Sequence, residues 1–429
     1  MTDAVAKADE PPVDEGQGAG GYRHVVLILL IVVYTFNFID RQILGILAGA
    51  IKHDLHLTDT QLGMMSGLAF AVFYTLLGVP IAWLADRSSR TWIMTGALTV
   101  WSGFTAACGL AAGFWPLFLC RMGVGVGEAG GTAPAYSLIS DYFPVRQRAR
   151  ALAAYSFGIP IGTACGYLLG GLISAASNWR IAFMVVGGAG VLLAPVLRLV
   201  VRDPKRGGAH AAIEKAPGFG EVLAVLLPKP SFWLISLGAA ASSTCGYGIA
   251  FWLPSFFERS LHLSLTDRAW YLGALALFGG VLGVWLGGMI ADRFGKSKAA
   301  YCLVPAIAFL IALPCFFAAV NSPNLALAFV LFLIPQGLNL AWLGPTIAAV
   351  QHLVPARMRS TSSAAFLFIN NLIGLGLGNV YFGFMADRLK PHFGTEALRW
   401  SIYSGLTFYL LAAVLFILAS RRIAKDWVD

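Results

Sequence analysis

The stretch AWLADRSSR at residues 82–90 recurs as GMIADRFGK at residues 288–296, 206 positions further along the chain. A second signature recurs at an offset of 211 and contains two prolines and two arginines in each copy: Pro134, Pro144, Arg146 and Arg148, then Pro345, Pro355, Arg357 and Arg359. Two signatures with nearly the same offset indicate an internal duplication. The sequence therefore predicts a fold built from two similar halves.

The composition is that of a membrane protein. Hydrophobic residues make up 58% of the 429 residues and charged residues 12%, whereas a soluble globular chain carries about 25% charged residues. Apolar runs of about 18 to 25 residues can cross a bilayer as helices. Twelve runs qualify: 24–48, 61–85, 92–112, 114–140, 149–176, 180–201, 231–257, 269–291, 298–320, 324–351, 360–386 and 397–420. We expect an all-α integral membrane protein with twelve transmembrane helices, six in each half.

Polar segments flank and separate the two halves. We predict a disordered tail at 1–22, an N-terminal half at 23–201, a linker at 202–230, a C-terminal half at 231–421 and a second tail at 422–429. Residues 219–227, within the linker, are expected to form a short interfacial helix.

The basic residues are unevenly distributed. The net charge is +9, and 20 of the 30 lysines and arginines lie in the tails and the even-numbered loops. The positive-inside rule places these segments, and therefore both termini, in the cytoplasm. The basic excess is explained by membrane topology, so we expect no nucleic-acid partner. The predicted location is the inner (plasma) membrane.

Four charged residues lie within predicted spans. Asp40 and Arg41 are in the first span, and Arg121 and Glu128 are in the fourth. A charge at bilayer depth costs about 2.5–3.5 kcal/mol on insertion scales, so it is usually paired or lines a water-filled path. Arg121 and Glu128 are seven residues apart and share one helix face, and two further polar residues, Tyr34 and Asn37, share a face with Arg41. We predict that Asp40 and Glu128 carry a transported proton. Arg41 and Arg121, with Tyr34 and Asn37, are predicted to bind an anionic substrate.

The repeated AWLADRSSR and GMIADRFGK segments are predicted to act as gates. Each places an aspartate at the cytoplasmic end of a span, where it can face the positive end of a neighbouring helix dipole. Such contacts would exist only while the two halves meet on that side, and they would stabilise an outward-open form. The residues assigned to gating are Asp86, Arg87, Arg90, Asp292, Arg293 and Lys296.

The chain resembles the major facilitator superfamily, whose signature is a Gly-x-x-x-Asp-Arg-x-Gly-Lys loop between the second and third helices of each half. More specific segments resemble the spinster family: NFIDR at 37–41, RMGVGVGEA at 121–129 and GIPIG at 158–162. Animal members of that family export sphingosine-1-phosphate or lysophospholipids. The resemblance implies a monomer in a lipid membrane, in which the first and fourth helices of each half line a central cavity. On that basis Thr244, Tyr247, Gln336, Asn339 and Thr346 are predicted to contact substrate.

The leading prediction is a secondary active transporter that works by alternating access. It would couple to protons and carry a lipid-like or organic anion of the sphingoid phosphate or lysolipid type. A proton symporter for small carboxylates, such as aromatic acids or uronates, is the alternative. A receptor or scaffold without transport is a third reading, but it would not need repeated hinge signatures.

Enzymatic and cofactor functions find no support in the sequence. The pattern Gly125-x-Gly127-x-x-Gly130 matches a dinucleotide fingerprint only formally, because it lies within a span and lacks the surrounding βαβ context. Small residues for close helix packing explain the pattern better. All six cysteines lie in apolar spans and no span combines nucleophile and base, so we expect neither a metal, a cofactor nor an enzyme.

Overall fold

The computed structural model describes residues 21–85, 87–204, 219–294 and 297–428, and it describes their side chains except those of residues 145, 219, 284–294, 340 and 341. Within these ranges the regular structure is helical, which confirms the predicted all-α class.

Helices of the N-terminal half follow the first six predicted spans. They are α1 (Tyr22–Ile46), α2 (Ala48–Leu55), α3 (Asp59–Ser66), α4 (Leu68–Ala85), α5 (Arg90–Cys108), α6 (Phe114–Glu128), α7 (Thr132–Tyr142), α8 (Val145–Ser156), α9 (Gly158–Ala176) and α10 (Trp179–Val200). Within this half α1 packs on α9, and α5 packs on α6 and α10.

The predicted interfacial helix and the C-terminal half follow. Their helices are α11 (Phe219–Leu226), α12 (Pro230–Arg259), α13 (Leu265–Phe294), α14 (Ala300–Asn321), α15 (Leu325–Ala341), α16 (Leu343–Gln351), α17 (Arg359–Asn370), a π-helical segment (Asn371–Leu375), α18 (Gly376–Phe393) and α19 (Ala397–Asp426). Short 3₁₀ turns occupy Ala356–Met358 and Gly394–Glu396. Each of the twelve predicted spans coincides with one of these helices or with a broken helix. Length and hydropathy alone mark eight described stretches as able to cross a membrane, and the last, Ala356–Asp426, covers two predicted spans.

Several spans are broken helices rather than continuous ones. Gly67 separates α3 from α4, and residues 129–131 separate α6 from α7. A Cβ atom at Gly67 would lie 2.7 Å from the carbonyl oxygen of Gly376 in the other half, so glycine is required for this close approach. The break after α6 leaves Glu128 at the end of a helix in the middle of the fourth span. Non-helical backbone at membrane depth is tolerated where it is buried in protein or lines a cavity.

The helix bundle has two ends. We call the end where Tyr22 and Asp426 lie the terminal face, and the opposite end the far face. The halves are in contact mainly through α9 with α13 and α3 with α18. Polar contacts between the halves cluster at the far face, where Asp59 of α3 meets Arg259 of α12 and Asp387 of α18. The far face is therefore closed in this conformation.

At the terminal face of the N-terminal half, Arg90 connects the start of α5 to α7 and to the segment that follows α10. Its guanidinium donates to Asp141 at 2.5 Å, to Ser137 at 2.8 Å and to Asp203 at 2.8 and 2.9 Å. Ser137 and Asp141 lie in α7 and Asp203 follows α10, all in the same half, so these contacts do not bridge the halves. The gating role assigned to Arg90 stays a prediction, and the structure adds a role in holding helix ends together.

We expect Arg90→Ala to lower the melting temperature of the purified protein, because a buried arginine with two carboxylate partners is lost. The expected destabilisation is about 2 kcal/mol. Arg87→Ala is the matched control, since Arg87 is exposed and the described contacts of its side chain are with Trp83, four residues earlier. Equal melting temperatures for the two variants in a thermal unfolding assay would contradict this role.

Candidate functional site

A cavity of about 360 Å³ lies between the two halves. It is lined by α1, α4, α7 and α9 from one half and by α12 to α17, the π-helical segment and α19 from the other. Lining residues such as Tyr136 and Leu343 lie towards the terminal face, while the far face is closed. The geometry is that of a central binding site reached from one side of the membrane.

Five of the nine predicted substrate residues line this cavity: Tyr34, Arg41, Tyr247, Gln336 and Asn339. The other four do not line it in this conformation. Asn37 and Arg121 are buried behind the N-terminal wall. The hydroxyl groups of Thr244 and Thr346 donate to carbonyl oxygens within their own helices, those of Ala240 and Trp342.

Arg41 and Glu128 form a buried ion pair at the cavity wall. The Arg41 Nε and Nη2 atoms lie 2.9 and 2.8 Å from Glu128 Oε2. The Glu128 side chain is fully buried, whereas that of Arg41 is 14% exposed. The guanidinium also lies 4.8–5.1 Å from the centres of three aromatic rings, those of Phe38, Phe70 and Tyr74. These contacts hold Arg41 at the boundary between the buried charge and the cavity.

Asp40 and Arg121 lie behind this ion pair. We call the four residues Asp40, Arg41, Arg121 and Glu128 the charge cluster. Asp40 and Arg121 are both 1% exposed, and Arg121 Nη1 donates to the backbone oxygen of Asp40 at 3.3 Å. Neither carboxyl oxygen of Asp40 has a hydrogen-bond partner among the described residues. Burial of an ionised carboxylate carries a desolvation penalty, which a nearby arginine such as Arg121 reduces.

Glycines of α6 bring the cluster together. A Cβ atom at Gly125 would lie 2.6 Å from the carbonyl oxygen of Phe70, and one at Gly127 would lie 2.5 Å from the backbone nitrogen of Trp101. Both glycines therefore allow α6 to pack closely against its neighbours, which confirms the predicted packing role of this glycine pattern. The close approach places Glu128 within reach of Arg41.

Sequence reasoning missed several cavity residues. On the N-terminal side these are Gln42, Tyr74 and Tyr136, and on the C-terminal side they are Asn370 and Asn371. Asn370 accepts a hydrogen bond from Ser243 at 2.8 Å and donates to Asn371 at 3.3 Å. The available signal was a pair of adjacent amides inside an apolar span. A π-helical segment begins at Asn371, and such segments are frequent at functional sites.

One part of the cavity is apolar. Large hydrophobic side chains from α12, α13, α14 and α15 line it: Leu253, Leu272, Leu275, Phe316 and Phe332. We call this part the apolar lobe. The cavity therefore combines a guanidinium on one side with amide groups and the apolar lobe on the other.

The predicted gating residues are only partly described. Asp86 and Lys296 lie outside the described residues. Asp292 and Arg293 lie in α13, in the stretch whose side chains are not described. Arg87 donates to the carbonyl oxygen of Trp83 at 3.4 Å, within its own half. The predicted gate at the terminal face therefore stays a prediction.

Comparisons with known proteins agree with this architecture. The family model of the Major Facilitator Superfamily matches residues 30–379. An MFS-type efflux pump from Mycolicibacterium smegmatis is 32% identical over 94% of this chain and 93% of its own length. Human protein spinster homolog 1 is 30% identical over 97% of this chain and 86% of its own length.

A solved structure is similar along nearly the whole chain. It is a bacterial homologue of the human lysosomal transporter spinster, in an inward-facing and unoccupied conformation. The two align with a TM-score of 0.85 and 33% sequence identity, covering 96% of this chain and 100% of that one. The match in fold and in length shows that this chain belongs to the major facilitator superfamily and is a multi-pass membrane transporter of the spinster type.

Proposed function

We propose that this transporter couples the movement of an amphiphilic organic anion to the movement of protons. The observation that carries this proposal is the charge of the cavity wall. Among the described residues that line the cavity, Arg41 is the only one with a formal charge. A single guanidinium in an otherwise uncharged cavity attracts an anionic group, because its planar donors match carboxylate and phosphate oxygens.

We infer proton coupling from Glu128, the ion-pair partner of Arg41. An anion that binds Arg41 competes with Glu128 for the same guanidinium, which lies 2.8 Å from Glu128 Oε2. Once Arg41 turns to the anion, Glu128 is a fully buried carboxylate that has lost its ion-pair partner, and protonation relieves that cost. Anion binding and proton binding therefore strengthen each other, as thermodynamic linkage requires. Arg41 is the group through which the two events are coupled.

Asp40 would supply a second proton site. It is buried beside Arg121, and its carboxyl oxygens have no hydrogen-bond partner among the residues that are described, so we infer that it holds a proton in this conformation. Movement of Arg121 towards Asp40 would stabilise the ionised form and release that proton. Arg121 would then act on Asp40 from behind the wall, in addition to the anion-binding role predicted for it.

The apolar lobe supports an amphiphile rather than a small carboxylate. A small aromatic acid or uronate held at Arg41 would leave the lobe formed by Leu253, Phe316 and Phe332 unfilled. An aliphatic tail in the lobe would gain about 0.8 kcal/mol for each buried methylene group. We infer a substrate of the lysolipid or sphingoid phosphate class, whose head binds Arg41 and whose hydroxyl or amide groups meet Gln336 and Asn371.

The proposed setting follows the distribution of basic residues. The terminal face would lie in the cytoplasm, so the conformation described would be open to the inside of the cell. The protein would work as a monomer in the inner membrane, in two halves at residues 23–201 and 231–421 joined by a cytoplasmic linker. The repeated GMIADRFGK-type segments would close the terminal face in the opposite conformation.

A binding screen followed by an uptake assay tests the proposed function. Purified protein is heated with lysolipids, sphingoid phosphates or small carboxylates, because a ligand that binds the native state raises its melting temperature. Hits are then tested for uptake into proteoliposomes with and without a pH gradient. We expect stabilisation by the amphiphilic anions and gradient-dependent uptake. Stabilisation by small carboxylates alone would favour the symporter alternative, and binding without uptake would favour a receptor.

A further inference from the structure

The Ala-Asp-Arg element of the two gating segments occurs a third time in the chain. Residues 383–388 read GFMADR, which matches GMIADR at 288–293 with the glycine and aspartate at the same spacing. This third copy lies near the C-terminal end of α18. It is therefore at the far face, opposite the end at which the other two copies lie.

Asp387 of this copy contacts the other half of the protein. Its Oδ1 atom accepts a hydrogen bond from the backbone nitrogen of Asp59 at 3.1 Å. Its Oδ2 atom accepts from both the backbone nitrogen and the hydroxyl of Thr60, each at 2.7 Å. Asp59 and Thr60 are the first two residues of α3, whose N-terminal amides have no partner within the helix. The carboxylate thus caps a helix dipole across the boundary between the halves.

Gly383 makes that contact possible. A Cβ atom at this position would lie 2.3 Å from the carbonyl oxygen of Asp59, a distance that cannot be accommodated without moving the backbone. The same helix pair meets again at Gly63, where a Cβ atom would lie 2.4 Å from the carbonyl oxygen of Asn379. Gly383 therefore allows α18 and α3 to pack closely, and Asp387, four residues later, stabilises that contact.

Charges around this contact are balanced. The Asp59 carboxylate receives two hydrogen bonds of 2.7 Å from Arg259 of the C-terminal half and one of 2.5 Å from Lys52 of its own half. The Asp59 side chain is buried, at 3% exposure. Two acids and two bases, from both halves, thus meet at the start of α3. A cluster of this kind is lost when the halves separate at the far face.

We propose that Gly383 and Asp387 form a far-face latch that stabilises the conformation open at the terminal face. The chain would then carry one signature in three places, two that close the terminal face and one that closes the far face. This inference rests on the alternating access of the proposed function, but it does not depend on the substrate or on proton coupling. Opening of the far face requires Asp387 to leave the first turn of α3.

Spin-label distances in the full-length protein test the latch. Labels are placed at Ala176→Cys in the N-terminal half and Thr395→Cys in the C-terminal half, both exposed at the far face, after the six native cysteines are replaced. Asp387→Asn keeps the shape of the side chain but removes its charge and one of its two acceptor oxygens. Loss of charge-assisted hydrogen bonds of this kind should raise the ratio of far-face-open to far-face-closed protein by about tenfold or more.

Two further variants make the test specific. Thr60→Val removes only the hydroxyl contact to Asp387 and should produce a smaller shift in the same direction. Asp267→Asn is the matched control, because Asp267 is a far-face acid whose described hydrogen bonds are to Ser264 in its own half. Unchanged distances in both Asp387→Asn and Thr60→Val, or an equal shift in Asp267→Asn, would overturn the latch. The distances are measured without substrate, so failure of the proposed transport activity would leave this result intact.

Discussion

Glu128→Gln is expected to abolish the dependence of transport on a pH gradient while leaving the protein folded. Glutamine keeps the size of the side chain but cannot take up a proton. The fully buried Glu128 carboxylate has Arg41 as its ion-pair partner, so the variant also frees Arg41 for the anion. Substrate binding should therefore persist, and uptake driven by a substrate gradient alone should continue. The measurement is proteoliposome uptake with and without a pH gradient.

Asp40→Asn and Asp54→Asn complete this experiment. Asp40→Asn should also remove or reduce the gradient dependence, because Asp40 is the other buried acid of the cluster. Asp54→Asn is the control, since Asp54 pairs with Arg180 at the far face within the same half and should behave like the unmodified protein. If Glu128→Gln and Asp40→Asn both keep full gradient dependence, neither acid carries the coupled proton.

Arg41→Lys is expected to weaken anion binding by about tenfold or more, although the charge is kept. Lysine lacks the planar pair of donors that matches a phosphate or carboxylate, and hydrogen bonds to charged groups contribute about 1.5–3 kcal/mol. Arg41→Ala should lose more, because it also leaves Glu128 buried without its partner. The dissociation constant of a ligand found in the thermal screen is the quantity to measure.

Arg121→Lys is the informative comparison for the anion site. The sequence predicts that both arginines bind the anion, but in this structure Arg121 is buried behind the wall and does not line the cavity. We therefore expect a larger loss of affinity from Arg41→Lys than from Arg121→Lys. Affinity within twofold of the unmodified protein in Arg41→Lys and Arg41→Ala would show that Arg41 has only a structural role.

Hydropathy and spacing predicted the fold closely, because each span must satisfy the same physical requirement of apolar length. The helix breaks were not predicted. Gly67 is one glycine among many in the spans, and its role depends on the neighbouring backbone of Gly376, 2.7 Å from a Cβ atom at that position. Contacts between distant segments of this kind are set by packing and cannot be read from local sequence.

The pairing of acids and bases within the charge cluster could not be predicted from the sequence for the same reason. Spacing placed Arg121 and Glu128 on one helix face, but it could not decide which acid pairs with which base. The placement of α6 in the bundle decides this, and it depends on close contacts such as that between Gly125 of α6 and Phe70 of α4. The structure pairs Arg41 with Glu128, while the carboxyl oxygens of Asp40 have no hydrogen-bond partner in the part of the chain that the structure describes.

Asp387 was missed for a topological reason. A duplication of the two halves places equivalent segments about half the chain apart, as it does for residues 82–90 and 288–296. The copy at 383–388 lies in the same half as the second one and at the opposite face, so that offset does not reveal it. Its partner at Thr60 is 327 positions away in the sequence, and only the packed structure brings them together.

We propose that one guanidinium, that of Arg41, links anion binding to proton binding at Glu128. Proteoliposomes that contain a pH-sensitive dye test it most directly, when an amphiphilic anion from the screen is added outside with no pH gradient present. We expect protons to enter the vesicles together with the anion in the unmodified protein, and Glu128→Gln to take up the anion without moving protons. Anion uptake with no proton entry in the unmodified protein, or with proton movement in the opposite direction, would contradict it.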